Sequence, residues 1–204
     1  MTSVSVVKRI GATQIAIVAM STAVYTVLGA FASGISVIPG MTLFYTPAAF
    51  IYVATMWFGV WGLLGALFGS ILQGPFYGYG YLIGMLFAGP DMLGALIAGI
   101  ALRRKILNFD LTLKDKKSLG LWILFAAIIG PAAEAVTGTP FFVYPLGWYT
   151  PEFAATYGVV AWWVGDFTAV VIIGTILMRA LSRYMVKTSL YHKGFVYRET
   201  SSSA

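Results

Sequence analysis

Residues 41–72 read MTLFYTPAAFIYVATMWFGVWGLLGALFGSIL, an apolar stretch without one charged side chain. Taken as a single tilted helix it makes a five-span protein; taken as two helices that turn near Phe58–Gly59 it makes six. Outward from it, apolar runs lie at roughly 12–32, 36–57, 59–77, 82–102, 119–137 and 157–180, each near the roughly 20 residues a bilayer crossing needs. The basic residues decide the count. Lys8 and Arg9 precede the first run, and Arg103, Arg104, Lys105, Lys114, Lys116 and Lys117 lie between the fourth and fifth. Arg179, Arg183, Lys187, Lys193 and Arg198 follow from the end of the sixth, which completes the 13 in the chain. With six spans all of them fall on one face, as the positive-inside rule requires; five spans would split them. The sequence therefore predicts an all-α integral membrane protein, a compact bundle of six transmembrane helices, N-in and C-in, multi-pass in the plasma membrane. Trp57 and Trp61 would anchor the tight turn at the interface.

Composition agrees with this reading. The chain is 59% hydrophobic and 10% charged, with a mean hydropathy of +0.86, whereas a soluble domain is roughly a quarter charged. Its 204 residues are expected to form one membrane domain over 1–187 and a polar, disordered cytoplasmic tail over 188–204. The basic start followed by an apolar run is read as a retained helix, because the run is too long for a signal peptide's core. Cysteine is absent and the only histidine, His192, lies in the polar tail, so thiolate metal sites and Cys nucleophiles are excluded, and no metal or cofactor is expected. The net charge of +6 is a topology signal, so no nucleic-acid partner is expected.

In the first span, Ala12, Ala16, Ala19, Ala23 and Ala30 fall within a stripe about 60° wide at about 100° per residue. Helices associate in lipid through close backbone approach, so a smooth ridge centred on Ala16, Ala19 and Ala23 can dock another helix; packing within the bundle is the plainer alternative. Gly65 with Gly69, and Ala95 with Gly99, make similar small-residue pairs, read as internal packing. The stretch Ala19-Met-Ser-Thr-Ala23-Val-Tyr25 resembles the first-helix Ala-xxx-Ala motif of the substrate-binding S components of energy-coupling factor transporters. A Gly/Pro loop from Gly34 to Gly40, Trp57-Phe-Gly-Val-Trp61-Gly, Gly65-Ala-Leu-Phe-Gly69, Gly99-Ile-Ala-Leu-Arg-Arg104 and a last helix with Gly165-Asp166 are similar to that family's layout over about residues 12–185. The resemblance implies six helices and an outward pocket roofed by the first loop and lined by the last three helices. It also implies a coupling membrane protein docked on the alanine motif and two ATPase subunits on other chains. These 204 residues contain no Gly-xxxx-Gly-Lys-Ser/Thr run, so this chain does not itself cradle ATP phosphates.

Four acids lie away from the basic segments: Asp91, Glu134, Glu152 and Asp166. A charge inside a span costs a few kcal/mol at least and faces a cavity or partner, and no Lys or Arg is available on that side. Asp91 follows Pro90 and can serve simply as a helix-start residue; Glu152 reads as solvated. Around the acids stand Tyr77, Tyr79, Trp148, Tyr149, Trp162 and Trp163, which serve either as an interfacial belt or as the walls of a pocket. Asp166, Glu134 and Asp91 with these aromatics are the candidate substrate-binding residues. Unpaired carboxylates among aromatics suit a flat, partly cationic molecule such as thiamin or a pyrimidine precursor, and disfavour folate-like or biotin-like acids. The expected function is capture of a small nutrient, without enzymatic activity. Two rivals differ in class. Trp162-Trp163-Val-Gly-Asp166 resembles sensory membrane modules of the MASE type, which feed a fused signalling domain. An intramembrane enzyme would use two acids as a pair, but no nucleophile–base constellation accompanies them.

Overall fold

Gly59 is where the chain reverses. Its φ of 62° and ψ of −139° suit only glycine, and it joins α2 (Thr46–Phe58) to α3 (Val60–Gln73) with no further loop. A Cβ on Gly62 would lie 2.5 Å from the Ala54 carbonyl oxygen, so the two helices meet backbone to backbone. The computed structural model describes residues 10–38, 40–192 and 195. Its other helices are α1 (Ala12–Ser33), α4 (Gly80–Leu102), α5 (Lys116–Val143) and α6 (Pro151–Met185), and the described residues contain no strand. Lys8, Arg9, Lys193 and Arg198 lie outside the described residues.

Five of the six helices are long and apolar enough to cross a membrane: α1, α3 with its continuation to Tyr77, α4, α5 and α6. The second run differs from expectation. Helix α2 starts at Thr46 rather than near 36 because Gly40 takes a φ of 77°, which breaks any continuous helix, and Pro47 fits only a first turn. Its 13 residues span about 20 Å at 1.5 Å each, short of a core about 30 Å thick. Yet all of it except Thr46 and Phe50 is buried. A helix apolar on every side belongs in the middle of a bundle, and α2 is the central helix here.

Small residues set the packing around it. Helices α1 and α3 run parallel, Gly65 against Ser21 and Gly69 against Tyr25, and the Thr22 hydroxyl donates to the Gly65 carbonyl at 3.0 Å. Gly84 against Ile71 seats α4 antiparallel on α3. Gly94 against Glu134 pairs α4 with α5, and Gly138 against Trp162 pairs α5 with α6. Pro131 has no N–H to give, and α5 takes wide π turns over Ile123–Ile129 immediately before it. Both of the last helices outrun their apolar windows: Asp115 caps α5 by accepting the Ser118 N–H at 2.7 Å, and Thr150 caps α6 by accepting the Phe153 N–H at 3.2 Å.

One end of the bundle gathers the start of α1, the α2–α3 turn, the end of α4 and the chain after α6. The Gln14 amide reaches His192 Nε2 at 3.4 Å. The His192 N–H donates to Trp57 O at 3.1 Å, and Arg103 donates to the Thr55, Met56 and His192 carbonyls. These contacts revise two expectations. His192 is 2% exposed and Leu190 and Phe195 pack on the core, so a polar, solvated tail does not begin at 188; residues 193, 194 and 196–204 lie outside the described residues. Trp57 is not an interfacial anchor: it is buried and its indole donates to Ser182 at 2.9 Å.

Candidate functional site

At the opposite end the helices leave a small, partly open cavity. The loop between α1 and α2 lies across it, tied down where the Tyr45 N–H donates to the Gly165 carbonyl at 3.2 Å. Gly165 itself abuts the Thr42 carbonyl so closely that a Cβ there would be 2.2 Å from it. Placing that loop places Asp166, which lines the cavity and is 1% exposed. Neither Asp166 oxygen accepts a hydrogen bond, and the Thr42 and Tyr77 hydroxyls around the same cavity are also buried without a partner. Buried polar atoms in native proteins are nearly always paired; here several unpaired ones face one space.

The other two acids are better served. Asp91, on α4 at the cavity's edge, accepts the Tyr25 hydroxyl at 2.8 Å and the Ser70 hydroxyl at 2.7 Å. Tyr25 lies 3.2 Å from the Tyr45 hydroxyl, and Tyr45 accepts the Gln73 amide at 2.5 Å. Because the Asp91 carboxylate can only accept, the chain runs one way, Gln73 to Tyr45 to Tyr25 to Asp91. Glu134 is 2% exposed, lies behind the cavity lining and accepts the Tyr52 hydroxyl at 2.7 Å. Glycines make room for it, since a Cβ on Gly94 would sit 2.2 Å from Glu134 Oε1 and one on Gly130 2.3 Å from the Tyr52 oxygen. Asp166 is the buried acid of the adjoining helix α6. As two carboxylates, however, both groups are acceptors and neither serves the other. The Trp162 indole, one turn before Asp166, lies beside it without a hydrogen bond of normal geometry.

Aromatic rings form the walls. Tyr77 and Tyr79 stack at 5.9 Å, and Tyr79 lies 5.1 Å from Phe87 and 6.1 Å from Trp148. Phe142 lies 4.7 Å from Phe87 and stacks on Tyr149 at 5.1 Å, while Trp162 closes the group 5.9 Å from Phe87. Thus Asp91, Asp166, Tyr77, Tyr79 and Trp162 line the cavity, Trp148 and Tyr149 back its wall, and Glu134 stands behind it. Trp163 does not join them. Neighbours on a helix point about 100° apart, so its ring packs, tilted, against Phe167 at 5.5 Å and its indole donates to Ile128 O at 3.1 Å. Glu152 is exposed.

Sequence reasoning missed Thr42, Tyr45, Gln73 and Phe87 on the lining and the supporting Tyr25, Tyr52 and Ser70. The available signal was polar hydroxyls in the middle of apolar runs, which need partners at membrane depth just as acids do. Among the described residues no group of three His, Asp or Glu side chains is disposed to hold a metal ion.

On the outer surface of α1, Ala12, Ala16, Ala19 and Ala23 are exposed, whereas Ile17, Ser21, Tyr25, Gly29 and Ala32 are buried against the bundle. The ridge is thus not taken up by internal packing, unlike Gly65 and Gly69. An apolar groove runs beside it, between Ala19, Ala23 and Val27 of α1 and Phe68 and Leu72 of α3. Compared with known protein families, curated proteins and solved structures, the chain matches none of them.

Proposed function

We propose that this chain is the membrane-embedded substrate-capture subunit of an uptake system for a small nutrient, similar to the S components of energy-coupling factor transporters. It crosses the plasma membrane six times with both termini in the cytoplasm, α2 included, because only that arrangement gathers all 13 basic residues on one face. The observation that carries the reading is Asp166: a carboxylate 1% exposed, without a hydrogen-bond partner, on an aromatic-walled cavity. Such a group is compensated by a cationic, donor-bearing guest, and the rings around it suit a flat one through stacking and cation–π contact. Thiamin-like heterocycles have this chemistry; a ligand held by its own carboxylate or phosphate would be repelled. Energy comes from a coupling membrane protein docked on Ala16, Ala19 and Ala23 and from ATPase subunits on other chains.

Calorimetric titration of the purified protein against a vitamin panel tests the reading. Flat cations should bind and anionic vitamins should not. Tight binding of an anionic vitamin, indifferent to Asp166→Asn, would show that the cavity serves another ligand class.

A further inference from the structure

The three buried acids differ in what serves them. Asp91 accepts two hydroxyls and Glu134 accepts one, whereas both Asp166 oxygens are buried without a partner. The lining does not supply one: the Thr42 and Tyr77 hydroxyls are unpaired themselves, and no Lys or Arg lines the cavity. A carboxylate presents two oxygens in one plane, with about four lone-pair sites between them. Two kinds of cation answer its charge, and they differ in what they bring. A flat cation whose charge is wrapped in carbon, such as an N-alkylated ring, brings no N–H, so both oxygens stay without a hydrogen bond in a buried place where an unmade bond is costly. A planar group with two parallel N–H bonds, such as an amidinium, serves both oxygens at once in the forked geometry of the strong charge-assisted pairs. Trp162, one turn before Asp166 on α6 and on the same cavity, offers a ring face to such a planar cation.

We infer that Asp166 determines the specificity of the cavity and selects guests by a planar pair of N–H donors, the edge of an amidinium, a guanidinium or a protonated 2-amino heterocycle, over flat cations that carry no N–H. This rests on the cation-capture reading above and narrows it from charge to hydrogen-bond pattern. An edge of two donors matches both oxygens, the donor–acceptor edge of a primary amide matches one, and a carboxylate matches neither. Asp166→Asn replaces one acceptor with a donor, so that variant should prefer the amide edge.

Four small aromatic probes separate these patterns in calorimetric titrations of the purified full-length protein at pH 7: benzamidine, which is protonated there, 1-methylpyridinium, benzamide and benzoate. The wild type should bind benzamidine at least about a hundredfold more tightly than 1-methylpyridinium, the worth of two hydrogen bonds to a buried charge, and benzoate not at all. Asp166→Asn should weaken benzamidine by about the same factor and reverse the order, with benzamide now the tighter of the two. Asp166→Ser removes both acceptors and should give the same loss of benzamidine, which decides the matter if Asp166→Asn does not fold. Equal or tighter binding of 1-methylpyridinium by the wild type overturns the inference and leaves the capture reading standing, because charge alone then suffices. Benzamidine binding that is indifferent to both substitutions also overturns it. If neither cation binds the wild type, the capture reading itself has failed, and the selectivity falls with it.

Discussion

Asp166, Trp162 and Trp163 lie within five residues of one another, yet they belong to different environments. Asp166 and Trp162, one turn apart, share the face of α6 that meets the cavity, while Trp163 is turned onto α5. Removing one partner of a buried charge-assisted contact costs a few kcal/mol, on the order of a hundredfold in affinity. Asp166→Asn should therefore weaken ligand binding by about that factor, Trp162→Ala by roughly tenfold through lost stacking, and Trp163→Phe hardly at all, all read by calorimetry. Equal losses in the two tryptophan variants would place the ligand elsewhere. Gly94 provides a separate check on the buried network. A side chain there meets Glu134 and the Tyr52 hydroxyl, so Gly94→Val should destabilise the protein by about 1–3 kcal/mol through overpacking and lower its melting temperature in detergent.

At the scale of the element, α1 has two faces with opposite roles. Its buried face receives α3 at glycines: a Cβ on Gly65 would lie 2.4 Å from the Ser21 Cβ, too close for any larger residue without separating the helices. Its alanine face, at Ala12, Ala16, Ala19 and Ala23, is exposed among the described residues. If the proposed coupling and ATPase subunits dock there, Ala19→Trp combined with Ala23→Trp should leave the melting temperature and ligand binding of the isolated protein near wild type while abolishing their copurification. Gly65→Leu should do the reverse and unfold the protein first. A double tryptophan variant that loses its fold would mean that the alanine face contributes to the bundle itself. The central helix α2 shows a related division. Its burial on all sides lets it stay short, and Arg103 and the His192 N–H satisfy the Met56 and Trp57 carbonyls at its end.

For the whole molecule, the contacts of Gln14, Arg103 and His192 gather several chain segments at one end, and the cavity with its acids lies at the other. The absence of cysteine makes single-cysteine labelling clean. In intact cells Glu152→Cys, exposed at the cavity end, should react with an impermeant thiol reagent, and Lys114→Cys should react only after permeabilisation. External labelling of residue 114 would invert the orientation proposed from the basic residues.

The membrane class, the helical content and the split at Gly59 were legible in the sequence, because each rests on local chemistry: apolar length, charge placement and a glycine at a turn. The small pairs at Gly65 and Gly69 were read correctly for the same reason. Burial of the acids was also foreseeable, since an intramembrane carboxylate has few places to go. What only the tertiary structure decided is which side chains meet. Apolar windows overstated α2, because a loop that covers a site can be as hydrophobic as a span, and they understated α5 and α6, whose ends are set by the Asp115 and Thr150 caps. Trp57 and Trp163 looked like an anchor and a ligand contact, and helix rotation and packing assigned them elsewhere. The Gln73–Tyr45–Tyr25–Asp91 chain draws on four separate segments. No sequence spacing encodes such a network: hydrogen bonds between helices depend on the packed distance between faces, which the small residues set only once all the helices are in place.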